Sequence, residues 1–209
     1  MQREQEILES GAQQLGCPLS ADQTQKLLEY LALMQKWNKT YNLTAIRTGP
    51  EMVVQHLLDS LAVLPYLWQG KWLDVGCGGG LPGVVLAIMR PDWQFTLLDS
   101  NSKKTGFVQQ VAIQLGLQNL KVHTGRVEEY AVEPGFDGII SRAFTELKNF
   151  FQLTGHLLAQ GGRWAAMKGK LEEPLPQGYC IEDVVTLDVP MLDATRTLVI
   201  ASKEREKTI

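Results

Sequence analysis

The stretch Trp72-Leu-Asp-Val-Gly-Cys-Gly-Gly-Gly-Leu-Pro-Gly83 decides the fold. An apolar strand carrying one acid, Asp74, runs straight into glycines and then into a helix. Gly76, Gly78, Gly79 and Gly80 let the backbone take positive φ angles and approach a ligand closely, and Pro82 suits the first turn of the helix that follows. The next apolar run, Gln94-Phe-Thr-Leu-Leu-Asp99, ends on a second acid. An acid at the tip of the second strand is where a doubly wound fold holds the ribose hydroxyls of an adenosine ligand. One glycine loop and two acids point to one cofactor.

Glycine spacing does not identify that cofactor, since Gly78, Gly80 and Gly83 also satisfy the dinucleotide pattern. The position of Asp74 does. It lies inside the strand, two residues before the first glycine, as in S-adenosylmethionine methyltransferases, where the acid organises the loop beside the methionine moiety. Dehydrogenases usually have no acid there. Asp74, Gly76, Gly78 and Asp99 are therefore candidate contacts for S-adenosylmethionine.

With 209 residues, 44% hydrophobic and 21% charged, the chain can bury one sizeable core plus a small appendage. Cys17, Cys77 and Cys180 are odd in number and lack paired metal spacing, so a reducing cytoplasm is expected, with neither a disulfide framework nor a metal site. The opening Met-Gln-Arg-Glu-Gln-Glu has no apolar core of a signal peptide, and the longest apolar stretch, Leu81 to Met89, is too short for a bilayer. A soluble, monomeric protein that engages no membrane is expected. A net charge of -3 argues against non-specific coating of nucleic acid, which draws its energy from neutralised phosphates. A local basic face is compatible with it. Its candidates are Lys36, Lys39, Arg47, Lys103, Lys104, Arg142, Lys148, Lys168 and Lys170, each of which also reads as an ordinary solvated cation.

Ser20 and Gln23 form a capping box, after which Leu27, Leu31, Met34, Trp37 and Tyr41 recur at helical spacing. Glu51 to Leu64 predicts a second helix that buries Val54, Leu57, Leu58 and Leu61 and stops at Pro65; His56 and Asp59 share one of its sides. His56 reads as a capped or half-buried histidine before it reads as a substrate contact. Residues 1–70 are thus expected to form a helical extension, and 71–209 the cofactor-binding domain. From residue 71, strands are predicted at Lys71–Gly76, Gln94–Asp99, Leu120–Thr124, Phe136–Arg142 and Arg163–Lys168. Helices follow the glycine loop to Arg90, span Ser102–Leu115, and run through Leu158. This pattern is a doubly wound parallel sheet, Rossmann-like, with its ligand at the strands' carboxyl ends. Tyr179–Leu187 and Arg196–Ala201 are separated by too few residues for a crossover helix and should pair as an antiparallel hairpin, the methyltransferase variant of the fold. Lys203 to Ile209 is expected to be a frayed, charged tail.

The chemistry that is missing narrows the acceptor. Methylation of an exocyclic base amine commonly uses an Asn/Asp-Pro-Pro-aromatic motif after the fourth strand, which here ends Ile140-Ser-Arg-Ala-Phe144. Methylation of a pyrimidine carbon needs a cysteine nucleophile, and neither Cys77 nor Cys180 is suitably placed. A ring nitrogen such as N7 of guanine exposes a lone pair and has no proton to lose, so it needs neither. Arg142 is the candidate catalytic residue, because a guanidinium can hold a phosphate or guanine's Hoogsteen acceptors in fixed geometry; a surface ion pair is its rival reading. Phe144 either stacks a base or packs beneath the loop.

With these segments assembled, the chain resembles the bacterial small-subunit ribosomal RNA methyltransferase G family, also called glucose-inhibited division protein B. The resemblance rests on Trp37-Asn-Lys-Thr-Tyr-Asn-Leu-Thr44, His56-Leu-Leu-Asp-Ser60, Asp74 to Gly83, Leu97-Leu-Asp-Ser100, Arg126-Val-Glu-Glu129 and Ile140 to Phe144, and covers nearly the whole chain. It implies methyl transfer from S-adenosylmethionine to N7 of the guanine at position 527 of 16S ribosomal RNA, with the 30S particle as substrate. It also implies that Gly76 and Leu81 contact the cofactor from the loop, that Val127 and Glu128 border its adenine, and that Arg142 lies near the reacting end. Cys77-Gly78-Gly79 stands where many relatives have Thr/Ser-Gly-Ala/Pro, a change that keeps the loop small. Rival readings are a methyltransferase for a small molecule, a protein or another RNA, a nicotinamide oxidoreductase with six parallel strands, and a silent RNA-binding or cofactor-sensing protein.

Overall fold

In the computed structural model, which describes residues 2–204, side-chain alternation along β1 (Lys71–Val75) divides the interior in two. Trp72 joins one hydrophobic core, whereas Leu73 and Val75 join the other, as period-2 pleating requires. The same alternation continues through the sheet: Leu97 against Leu98, Ile140 against Ile139, Ala165 against Trp164 and Leu198 against Val199. Every such strand is apolar on both faces, so helices must cover both.

β2 (Gln94–Asp99), β3 (Leu120–Thr124), β4 (Phe136–Arg142) and β5 (Leu158–Lys168) lie parallel with β1. β7 (Arg196–Lys203) runs antiparallel between β5 and β6 (Tyr179–Leu187), giving the order β3-β2-β1-β4-β5-β7-β6. The reversed β7 fits the expected hairpin and departs from the all-parallel continuation of a nicotinamide domain. The chain order turns around between β1 and β4, which opens a crevice at their carboxyl ends.

Helices α1 (Gln2–Gln14), α2 (Ala21–Tyr41), α3 (Gly49–Met52), α4 (Asp59–Leu61), α5 (Gly83–Met89) and α6 (Ser102–Gln114) supply the first core, and α7 (Leu147–Thr154) supplies much of the second. The capping box of α2 is present in both its hydrogen bonds, Gln23 N–H to Ser20 Oγ and Ser20 N–H to the Gln23 carboxamide. Capping contributes about 1 kcal/mol. Burying Leu27, Tyr30, Leu31 and Met34 contributes roughly 2 kcal/mol each by transfer of apolar area, so packing on the neighbouring helices α1, α5 and α6, more than capping, holds α2. The apolar stripe ends sooner than its spacing implies. Tyr41 is exposed and lies against Trp37, where Asn42 turns the chain out of the helix at φ 49°.

Three expectations need correction. The run 51–64 is not one α-helix: residues Val53–Leu58 form a π-helical turn between α3 and α4, and Leu64–Tyr66 a 3-10 turn. β5 begins at Leu158, five residues before the predicted strand, because the preceding helix ends at Thr154 and a 3-10 turn carries Gly155–Leu157. Lys203 closes β7 and is not part of a tail, and residues 205–209 lie outside the described residues. No described helix is long and apolar enough to cross a membrane.

Candidate active site

The glycine loop is tied down on three sides. Gly76 (φ 66°) donates its N–H to Leu98 O at 2.8 Å, and Cys77 N–H reaches the same carbonyl at 3.1 Å, so β1 and β2 end together. A Cβ on Gly76 would stand 2.6 Å from Cδ2 of Phe144, a second reason for glycine there. Asp99 accepts Gly78 N–H through Oδ2 at 2.9 Å and Asn101 N–H through Oδ1 at 2.8 Å. From the far side, the Tyr30 hydroxyl on α2 donates to Gly79 O at 2.6 Å. Burial pushes that phenol well above its ordinary pKa and keeps it a donor.

Asp74 lies beneath the loop, fully buried. Its Oδ2 accepts Gly83 N–H at 2.8 Å, and its Oδ1 has no partner. Burial raises its pKa to about 8, so the acid carries its proton at neutral pH. A Cβ on Gly83 would fall 2.8 Å from the Asp74 carboxyl, which is how the helix start comes close enough to donate.

Two clefts meet over this loop. One, about 450 Å³, is bounded by the loop residues Gly76, Gly78 and Leu81 together with His56, Arg142 and Arg196. The other, about 400 Å³, is bounded by Gly76, Asp99, Val127, Glu128 and Phe144. Gly76 and Ala143 border both, so the clefts join at the carboxyl ends of β1 and β4. Ala143 takes φ 54°, an αL conformation uncommon for a residue with a side chain, of a kind that clusters at functional sites. Of the residues expected from the sequence, Gly76, Gly78, Leu81 and Arg142 gather in the first cleft, and Asp99, Val127 and Glu128 in the second. Asp74 borders neither and acts from below. Phe144 is partly exposed, with one edge on Gly76 and the ring 6.3 Å from Phe150.

At the outer wall of the first cleft, one buried carboxylate holds two guanidiniums. Arg142 Nη1 meets Asp59 Oδ2 at 3.3 Å, and Arg196 Nε meets Asp59 Oδ1 at 2.8 Å. Arg142 also donates to Gln55 O at 3.1 Å, a carbonyl of the π-helical turn, and such turns recur at functional sites. The three side chains leave one net positive charge facing the cleft. His56, in the same turn, shares a hydrogen bond with Thr44 Oγ1 at 2.9 Å through Nε2, and its Nδ1 is buried without a partner. Burial and the nearby Arg142 charge lower its pKa to about 4, so the ring is neutral.

The lysines expected near Arg142 differ in their surroundings. Lys168, which borders the first cleft with Arg142, is held by Glu173 at 2.7 Å, whereas Lys170 is exposed, 3.4 Å from an equally exposed Glu172. Arg196, Asp59 and Tyr30 belong to the site without having been marked as site residues. The His56/Asp59 spacing was a signal for Asp59. Nothing local distinguishes Arg196, which lies 137 positions from its partner.

Comparison with known proteins agrees with this geometry. The family model described as rRNA small subunit methyltransferase G matches residues 23–189. A protein of that name from Neisseria meningitidis serogroup C is 52% identical over 204 residues, covering 95% of this chain and 98% of the relative. Another from Methylobacillus flagellatus is 50% identical over 197 residues, covering 93% and 96%. Among solved structures, a SAM dependent methyltransferase from Aquifex aeolicus superposes with a TM-score of 0.57 at 17% identity, covering 73% of this chain and 92% of that one. A SAM-dependent methyltransferase from Thiobacillus denitrificans, in complex with S-adenosyl-L-homocysteine, gives 0.54 at 13% identity, covering 82% and 98%. The fold is therefore that of the class I methyltransferases, and the chain belongs to the rRNA small subunit methyltransferase G family.

Proposed function

We propose that this chain transfers a methyl group from S-adenosylmethionine to N7 of the guanine at position 527 of 16S ribosomal RNA, acting on the 30S subunit in the cytoplasm. Residues 71–209 are then the cofactor-binding domain and 1–70 the extension that completes the acceptor side. The observation that carries the reading is the junction of two clefts at Gly76 and Ala143, with Arg142 and Arg196 fixed on Asp59 along one wall.

The residues present fit the cofactor. The cleft bordered by Asp99, Val127 and Glu128 suits an adenosine, and the backbone from Gly76 to Leu81 suits a methionine end that must lie close to main chain. When bound, the cofactor supplies a sulfonium methyl open to in-line attack. The chain's part is position and charge. Arg142 and Arg196, immobilised by Asp59, can hold guanine O6 or a neighbouring phosphate while leaving the N7 lone pair free. Transfer to N7 releases no proton, because the positive charge passes to the base. The cleft is consistent with this: Asp59 is engaged by two arginines, and His56 is neutral and too weakly basic to accept a proton at pH 7. The names of the relatives support an rRNA substrate of the small subunit; the ring nitrogen is supported by this absence of a base among the described residues of the cleft.

Labelled methyl transfer to 30S subunits from a strain lacking this gene, with the product mapped by mass spectrometry, tests the proposal. Label at N7 of that guanine is expected. Label on another base or on protein refutes it, as does cofactor binding without label.

A further inference from the structure

We propose that the groove between α2 and the loop 42–48 is a track for RNA phosphates flanking the methylated base, with Lys36, Lys39 and Arg47 as its charged contacts. The proposal rests on the reading that the substrate is RNA. The groove encloses about 440 Å³ and is separate from the two clefts above, but Ile46 borders both it and the acceptor cleft. A strand whose target base enters the cleft therefore has only the 42–48 ridge to cross before reaching the groove.

Three observations converge on a polyanion. First, Lys36 and Lys39 are three residues apart and so share a face of α2, and Arg47 faces them across the groove. Second, all three are exposed, and among the described residues none is ion-paired, unlike Lys26, Lys168, Lys170 and Arg163, each of which has a carboxylate partner. In a chain of net charge -3, three uncompensated cations in one acid-free groove mark a site for external negative charge.

Third, the ridge is preset. Buried Asn38 clamps Thr44 from both sides, its Nδ2 donating to Thr44 O at 2.9 Å and its Oδ1 accepting Thr44 N–H at 2.9 Å. Thr44 Oγ1 accepts Ile46 N–H at 3.1 Å and bonds His56. The network satisfies the buried Asn38 amide and fixes the shape of the ridge between the cleft and the groove. Fixing the ridge in advance removes an ordering cost from binding.

The test compares the full-length wild type with the triple variant Lys36→Ala/Lys39→Ala/Arg47→Ala, measuring kcat/KM on undermethylated 30S subunits across a salt series. S-adenosylhomocysteine affinity and Tm are measured alongside. Three lost phosphate contacts on single-stranded RNA lower the slope of log kcat/KM against log salt by about two, so a fourfold rise in salt costs the wild type roughly twentyfold more than the variant. Cofactor affinity and Tm are expected to stay unchanged. A control variant, Lys26→Ala/Lys121→Ala, removes cations that line a cleft at the opposite ends of the strands, and should keep the wild-type slope. A triple variant with the wild-type slope overturns the track, as does a control that changes as much. If the wild type itself does not methylate 30S subunits, the RNA reading falls first and the track with it.

Discussion

Replacing Asp74 by asparagine should stabilise the cofactor-free protein, and by more at higher pH. The folded acid keeps its proton to about pH 8, whereas the unfolded one loses it near pH 3.8. Between those values the unfolded state binds fewer protons, so stability that is full below pH 3.8 is lost at about 1.4 kcal/mol per pH unit until the folded acid also ionises. Asparagine has the same outline, can keep the bond from Gly83 N–H, and does not ionise. Its advantage should therefore grow by about 1.5 kcal/mol between pH 6.5 and pH 8, worth roughly 3–6 °C in Tm for a chain of this size. His56 acts in the other direction. Its pKa falls from 6.5 to about 4 on folding, so it contributes stability above pH 6.5 that is lost as the pH drops toward 4. Measuring above pH 6.5 isolates Asp74, and the difference between variant and wild type cancels what they share. Thermal unfolding of both proteins by circular dichroism, without cofactor, from pH 6.5 to 8 supplies the data. A Tm difference that does not widen with pH would refute the idea of a neutral buried acid.

Three further outcomes follow from the site. Arg142→Ala should lower kcat for methyl transfer at least about a hundredfold, while urea denaturation shows the fold retained because Arg196 still neutralises Asp59; full turnover would remove Arg142 from the mechanism. Tyr30→Phe leaves Gly79 O without its donor, so a stability loss of about 1–3 kcal/mol and weaker cofactor binding by calorimetry are expected; a protein unchanged in both would show that the loop does not depend on α2. Gly76→Ala places a methyl 2.6 Å from the Phe144 ring at a backbone φ of 66°, and should weaken cofactor binding by tenfold or more. Adding Phe144→Ala should relieve only the steric part, and a full recovery would show that the backbone conformation is not needed.

The parts of the molecule that were legible in the sequence are those governed by local rules. Strand ends at Asp99 and Arg142 were readable because apolar runs stop at a charge, and the C-terminal hairpin because eight residues cannot make a crossover. The π-helical turn was not. Val54, Leu57, Leu58 and Leu61 keep helical spacing whether or not one turn is widened, so periodicity cannot see it. α1 was missed as a separate helix because it is mostly polar, with Leu8, Gly11 and Ala12 as its buried residues. Lys168 and Lys170 looked free because their partners, Glu173 and Glu172, sit in a segment with no regular structure to align them. Tyr30 did fall on the buried face of α2, at three residues from Leu27, and only its hydroxyl marks it as more than packing.

The carboxylate of Asp59 has a consequence for when the enzyme becomes competent. Its two partners come from β4 and from β7, which follows β6 in the chain yet lies inside the sheet between β5 and β6. A growing chain can close its glycine loop early, since β1, β2 and α2 suffice for that. It cannot finish the wall of the first cleft until Arg196 has emerged and β7 has slotted in. The order of synthesis thus puts the glycine loop ahead of the arginine wall, and a product that stops short of β7 has the residues of the first without those of the second.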